Sequence, residues 1–284
     1  MQRLTARMWR PESSWHVGDL AWGRNMHIGR EPEWPTAYWT ADGADEIVAW
    51  AWGRLPGHLD LAIDPAHATQ VGPEVLAWFE SVATGTDLST YAMAAEPYMI
   101  ELFEGAGYRL QSDDPHGMNR YLHDLAIIAD PMLPAGFTAR PINGPDDVPA
   151  RVEVHRSAFA PSRVTPESYA NVMAAPPYRM DLDWVVQAPD GRLAANCLIW
   201  LDESSGCGLV EPVGTHADFR RLGLSRAVCL AALRALRDLG GTSAVVNSYE
   251  TPENSGPAAL YRGLGFRDRT HTVLYVKSIA EKSA

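Results

Sequence analysis

The sequence predicts an α/β fold, with a mixed and mostly antiparallel sheet flanked by helices, built as two tandem copies of one unit. Three observations carry this expectation: strand-like and helix-like runs alternate, a proline-rich break falls near the middle, and short segments of the first half recur in order in the second. The break is Asp130-Pro131-Met132-Leu133-Pro134-Ala135-Gly136, where two prolines and a glycine stop any regular element. It divides the chain into units 1–130 and 136–284, joined by residues 131–135. Leu4-Thr5-Ala6-Arg7 is echoed by Phe137-Thr138-Ala139-Arg140, and Leu102 through Arg109 by Leu260 through Arg267. Each match is short, and their common order points to a tandem duplication.

In the second half, Phe137–Pro141 reads as a short strand and Asp146–Phe159 as a helix with acids in its first turn. Thr165-Pro166-Glu167 offers a threonine cap and a first-position proline to another helix. Trp184–Gln187 and Leu193–Trp200 flank a Pro189-Asp190-Gly191 turn, a hairpin signal. Cys207–Thr215 is a further strand, and Gly223–Leu239 a long helix stopped by Gly240-Gly241. Val245–Tyr249, Pro257–Gly263 and Thr272–Lys277 complete the pattern as strand, helix and strand. In the first half, Leu59–Ile63 is strand-like and Val75–Phe79 is an apolar helical run.

The 284 residues carry a formal net charge of −11. Residues 1–133 hold eight arginines, no lysine and nineteen acids, so the first half owns the whole excess and the second is balanced. This charge argues against a general nucleic-acid partner, which needs a basic face. It either keeps the protein in solution or draws a cationic ligand toward a cleft between the halves. No run approaches the ~18–20 apolar residues of a membrane helix. The opening residues lack the apolar core of a secretory signal. Three cysteines without a CxxC spacing read as buried thiols, so a cytoplasmic protein without membrane partners is expected. Nine scattered histidines give no metal-ligand spacing, and no metal is expected. His16, His27, His58 and His67 read as surface or capping residues. The eight tryptophans of the first half either fill a core or build a pocket.

Chemistry concentrates in Thr215-His216-Ala217-Asp218-Phe219-Arg220-Arg221-Leu222-Gly223-Leu224-Ser225-Arg226. A strand runs through a tight turn into a long helix, so backbone N–H groups and the helix dipole meet three arginines at one end. A pyrophosphate suits such an end; a solvated basic helix start is the plain alternative. Arg220-Arg221-Leu222-Gly223-Leu224-Ser225 resembles the Arg-x-x-Gly-x-(Gly/Ala) acyl-CoA loop of the GNAT N-acetyltransferases, with Ser225 at the last small position. Asn254 through Phe266 resembles that family's second signature, an Asn followed seven residues later by Tyr261 and then Gly265-Phe266. The resemblance covers about 136–278 and implies a tandem GNAT protein.

By that resemblance, acetyl-CoA or another short acyl-CoA is the co-substrate. Val213, Gly214 and Thr215 offer it backbone groups, Arg220, Arg221, Leu222, Gly223, Leu224, Ser225 and Arg226 hold its pyrophosphate, and Asn254 holds its arm. Tyr261 matches the acid that protonates the departing thiolate; a packed aromatic is its other reading. Glu211 is the candidate base, or else a structural carboxylate, with Asn247, Tyr249 and Glu250 as further candidates. The implied reaction is acyl transfer to a primary amine of a small molecule. A protein lysine or N-terminus as acceptor, and a non-catalytic acyl-CoA sensor, are the alternatives. In the first half the aligned loop, Asp64 through Val75, lacks the arginines, carries Pro73 and Glu74, and Phe103 stands at the tyrosine position. That copy is expected to have the fold without the catalysis.

Overall fold

The computed structural model describes residues 1–41, 45–250 and 255–280. The first half runs α1 (Gln2–Met8), α2 (Val17–Asn25), β1 (Thr36–Thr40), β2 (Ile47–Arg54), β3 (His58–Ile63), α3 (Ala68–Val82), β4 (Asp87–Met93), α4 (Pro97–Gly105), β5 (Arg109–Gln111) and β6 (Met118–His123). The second runs β7 (Thr138–Pro141), α5 (Val148–Ala158), α6 (Pro166–Ala174), β8 (Asp183–Gln187), β9 (Leu193–Asp202), β10 (Cys207–Thr215), α7 (Leu224–Asp238), β11 (Ser243–Tyr249), α8 (Gly256–Leu264) and β12 (Arg267–Ser278).

The strands lie in the order β1-β2-β3-β4-β12-β6-β11-β10-β9-β8-β7, with β5 also paired to β12. Among the described residues only β3–β4 and β10–β11 pair in parallel, as the mixed, mostly antiparallel expectation required. The two halves repeat one motif: a hairpin, a crossover helix, a parallel strand and a short helix occur as β2-β3-α3-β4-α4 and as β9-β10-α7-β11-α8.

The halves also exchange strands. β6, from the first half of the chain, pairs with β11 through Ala244↔His123 to Tyr249↔Met118. β12 is longer than the Thr272–Lys277 strand read from sequence, because its first residues, Arg267–His271, extend it along β6. Its remainder, Thr272–Ser278, pairs with β4. One strand therefore carries the hydrogen bonds of both sheets.

Local chemistry sets the element ends. Thr165 and Ser168 exchange backbone-to-hydroxyl bonds of 3.2 and 2.9 Å at the start of α6, with Pro166 in the first turn. α7 ends where Gly240 adopts φ 90° and the Gly240 and Gly241 amides donate to Arg237 and Leu236 carbonyls at 2.9 Å. The acids expected to open the helix over Asp146–Phe159 lie instead in a 3-10 turn, Pro145–Asp147, just before α5, and Asp147 takes an ion pair from Arg140 at 2.6 Å. At α2, His16 accepts from the Gly18 amide and Asp19 accepts from the His16 amide, a reciprocal cap.

Every position of β9 is buried, and α7 covers one face through Leu224, Val228, Leu233 and Leu236. The other face meets α5, α6 and, from the first half, α2, whose Ala21 and Trp22 pack with Val152 and Trp200. α2 approaches this closely because Gly18 has no side chain: a Cβ there would lie 2.4 Å from the Cβ of Trp200. Trp50 and Trp52 are fully buried with Trp34 in a core of the first half.

Two buried arginines tie the layers. Arg151 pairs with Asp183 at 2.9 Å, and Asp183 also accepts from the Tyr169 and Tyr178 hydroxyls. Arg120 of β6 donates to the Ser13 and Ser14 carbonyls and, at 2.8 Å, to Asn247 of β11. It is the clasp between the α1–α2 segment and the second sheet.

Fragments 1–135 and 136–284, expressed apart, should each fail to give a native circular-dichroism spectrum, while the whole chain melts in a single transition. A well-folded, monomeric 136–284 would disprove this coupling. Gly18→Ala should destabilise the chain by about 1–3 kcal/mol through overpacking against Trp200, measurable by denaturant titration.

Candidate active site

β10 and β11 are paired only at Cys207–Ser243, Gly208–Ala244 and Leu209–Val245, and then diverge. Each stays bonded on its outer side, β10 to β9 as far as Thr215↔Ala195 and β11 to β6 as far as Tyr249↔Met118. The result is a wedge between two well-anchored strands. It holds a cavity of about 330 Å³ with Val210–Val213 on one wall, Asn247–Tyr249 on the other, and Tyr261 of α8 alongside. Asp19 and Met118 of the first half line it as well.

The β10 wall is bulged. Val210 faces Ile199 and Val213 faces Cys197, so β10 spends one more residue than β9 between these pairs. The Glu211 and Pro212 carbonyls accept from Trp200 Nε1 at 2.8 Å and Asn196 Nδ2 at 3.3 Å, which fixes the bulge. Gly214 lets the end of α5 lie against the strand, since a Cβ there would come 2.7 Å from that of Ala158.

At the wedge's other end, β10 passes through a 3-10 turn, Ala217–Phe219, into α7. Arg221 and Gly223 take positive φ, 69° and 75°. The left-handed Arg221 stores about 1–2 kcal/mol of backbone strain, a common mark of a ligand-binding loop. No side chain caps α7, so its first-turn N–H groups stay open for an anion. A side chain at Gly223 would meet nothing within 4 Å, which leaves room for a bulky ligand. Arg220 and Arg221 are exposed and have no ion-pair partner among the described residues. Leu222 is exposed too, whereas Leu224 is buried and anchors the helix to the core. Arg226 is committed in part, donating to the Gly263 carbonyl and so docking α7 on α8. Ser225 and Thr215 share a hydroxyl–hydroxyl bond across the loop. Asn254 lies outside the described residues.

Tyr261 is buried beside Tyr121 and Phe266, with ring centroids at 6.3 and 5.8 Å. Burial, followed by the nearby Cys229, Cys197 and Glu211, holds its phenol well above the usual range, hence protonated at neutral pH. Glu211 is pushed up to about 8 by burial and by Asp19, against the pull of Arg120 and Arg54. Asp19, hydrogen-bonded to Glu211, is raised as well, chiefly by burial. Two carboxyls in one recess cannot both ionise cheaply, so the pair retains a proton at neutral pH.

The other base candidates resolve differently. Asn247 is occupied by Arg120, and Tyr249 lines the cavity half exposed. Glu250 is held in a two-point pair by Arg262 at 2.8 and 2.9 Å and lies outside the cavity lining. The sequence reading missed Asp19 and Arg120 altogether. Asp19 left one signal, an acid three residues after a capping position.

A second cavity of about 400 Å³ lies against the first, sharing Phe159, Glu211 and Pro212. Its further walls include Trp22, Met26, His27 and Arg30 from the first half, and His155 and Arg163 from the second. His27 is thus a wall residue and no mere surface group, while His16 does cap α2. The site is built from both halves.

The first half contains the same wedge, since β3 and β4 pair only at His58–Ser89 and Leu59–Thr90. Thr5 and Met8 of α1 lie over Leu61 and Ala62 of β3, leaving a void of about 20 Å³ beside Tyr98, while a wider cavity of about 660 Å³ opens at the mouth between Arg7, Asp64 and Glu96. The aligned loop is capped by Asp64, which takes the Ala66 amide at 3.0 Å, and Pro73 lies inside α3. Phe103 is fully buried against Tyr108 and Tyr275.

Two repeated splayed-strand units in one chain are the tandem GNAT fold. The chain is similar to known members of that group. It is 26% identical over 221 residues to the mycothiol acetyltransferase of Clavibacter sepedonicus, spanning 76% of this chain and 71% of that one. A tandem GNAT protein from the clavulanic acid biosynthesis pathway superposes with TM-score 0.70 at 16% identity, covering 99% of this chain and 94% of the other. A GCN5-related N-acetyltransferase from Sphaerobacter thermophilus gives TM-score 0.63 at 20% identity, covering 82% and 77%. No family model matches the sequence.

The carboxyl pair makes stability depend on pH. Glu211 binds its proton more tightly folded, at about 8, than at its ordinary 4.5. The unfolded chain therefore holds fewer protons across that window, and this group's contribution falls as pH rises from about 5 through about 8. Melting curves of the native chain and of Glu211→Gln should diverge over this range in favour of the variant. A pH-independent difference in Tm would refute the raised carboxyl.

Proposed function

We propose that the chain is an acyl-CoA-dependent N-acetyltransferase that acetylates a primary amine by direct attack in a ternary complex. One observation carries the proposal: a single wedge joins an uncapped, arginine-flanked helix start to a proton-holding carboxyl pair and a buried phenol. The residues suit acyl-CoA. The α7 amides, Arg220 and Arg221 would hold the pyrophosphate, and the open edge of β10 over Val213–Thr215 would lie along the pantetheine arm. Acetyl-CoA, when bound, supplies the thioester; the chain's groups do the rest.

Glu211 acts as the base in the fraction that has lost its own proton, which grows toward pH 8; there its carboxylate, alone or with Asp19, takes a proton from the acceptor ammonium. An N–H of the splayed strand aimed at the developing oxyanion contributes about 2.7–4 kcal/mol. Tyr261 holds its proton against the cavity and donates it where the thiolate departs. The modest size of the two cavities favours a small-molecule acceptor over a folded protein. Three free, buried cysteines fit a reducing compartment such as the cytoplasm.

The deciding measurement is thiol release from acetyl-CoA against a library of amines. Tight CoA binding with no thiol release for any amine would make the chain a sensor. Glu211→Gln should lower kcat/KM by about 10²–10⁴-fold and abolish the rise in rate toward pH 8. Tyr261→Phe should reduce kcat about 10²-fold or more while acetyl-CoA affinity changes little. Unaltered turnover would remove Tyr261 from the mechanism. Arg220→Ala with Arg221→Ala should weaken acetyl-CoA binding at least tenfold and flatten its salt dependence.

A further inference from the structure

The second cavity is polarised. Its boundary with the wedge is Glu211, and its outer walls carry Arg30 and Arg163. Arg163 is exposed on the segment between α5 and α6, with no ion-pair partner among the described residues. Arg30 spends Nε and Nη2 on Glu33 and stacks over Trp34 at 5.6 Å, so it is held in place with Nη1 to spare. His27 and His155 line the same cavity, and the buried Nδ1 of each has no hydrogen-bond partner among the described residues. Buried polar atoms are nearly always satisfied, so both imidazoles of this cavity are short of a partner. The His155 ring is itself fixed, edge-on to Trp22 at 5.4 Å and against Phe159 at 4.7 Å.

The electrostatics separate the two ends. The cations acting on Glu211 are Arg120 and Arg54, whereas Arg30, Arg163 and Arg54 act on His27. Among the described residues, the carboxyls near the cavity are Glu211 and Asp19 at the wedge, Asp60 paired with Arg54, and Glu33 bound to Arg30. An amine placed at Glu211 would thus direct its other end toward guanidinium and imidazole N–H groups. A neutral tail would leave these donors unanswered, and a second cation would be repelled.

We propose that the acceptor is an amine bearing an anionic group, a carboxylate or a phosphate, recognised by Arg163 and Arg30 with the His27 and His155 ring nitrogens, while its ammonium meets Glu211. This rests on the transferase reading and names the substrate class of the same site. Guanidinium groups bind both anions in two-point geometry. The global charge of the first half points toward a purely cationic acceptor, but the local wall that this half supplies has the opposite sign.

The test uses the full chain and matched amines that share a skeleton and end in a carboxylate, a phosphate ester, a primary amide or a hydroxyl. Binding is followed by calorimetry and turnover by thiol release. The acidic members should exceed the amide and hydroxyl by at least tenfold in affinity and in kcat/KM, and the stronger of the two acids identifies the anion. Arg163→Gln should cut that preference by about 10–100-fold, Arg163→Lys should keep part of it, and an acidic amine should perturb the His27 and His155 ring resonances. Equal binding of acids and amides, or an undiminished preference in both Arg163→Gln and Arg30→Gln, would overturn the proposal even if amines are acetylated. Selective, arginine-dependent binding of acids without thiol release would uphold the site and overturn the transferase reading instead.

Discussion

The backbone hydrogen bonds of β12 are the constraint on which the remaining structure depends. Its first residues complete the sheet beyond β6, and its later ones complete the sheet beyond β4. Because β6 lies between β12 and β11, β12 also braces the strand that forms one wall of the wedge. A parallel pair that opens after three residue pairs survives only when each strand has a firm outer neighbour. β9 gives β10 that support from within the second half, and β6 gives it to β11 from the first. The cleft is therefore a property of the whole chain.

From this follows the placement of the chemical groups. α2 packs on β9 through Gly18 and carries Asp19 to Glu211; Arg120, pinned to the Ser13 and Ser14 carbonyls, fixes the same segment from below. Packing, cap and ion distribution agree on one position for Asp19. The raised proton affinity of Glu211 thus comes first from burial and then from a carboxyl almost two hundred positions earlier in the chain.

What the sequence made legible was local. The strand–turn–helix around Gly223, the Thr165 cap and the Gly240 stop are written in consecutive residues and appear where expected. The repeat was readable in Leu102 through Arg109 and Leu260 through Arg267, which both run from a short helix into a strand. Leu4 through Arg7, by contrast, lies in α1 and its echo Thr138 through Arg140 in β7, so that match does not belong to the repeat. The polar run Arg267–His271 hid the start of β12, because its side chains are largely exposed and show no alternation. The bulge at Glu211-Pro212 was undetectable, since an extra residue is defined only against its partner strand. Asp19, His27 and Arg30 gave no functional sign for a similar reason: their meaning lies in contacts made across the exchange, far from any motif.

The exchange also sets how such a chain can change over generations. Units that merely sit side by side can be shuffled by recombination between related genes. Here a crossover near residue 131 would join one parent's β6, Asp19 and Arg54 to another parent's β11, β12 and Glu211. Both sheets and the walls of both cavities would then be hybrids at once. Inheritance is thereby held to both halves together, and a new shape for the second cavity is most simply reached by point changes on the α2 side, where a side chain can alter its wall without touching the loop into α7.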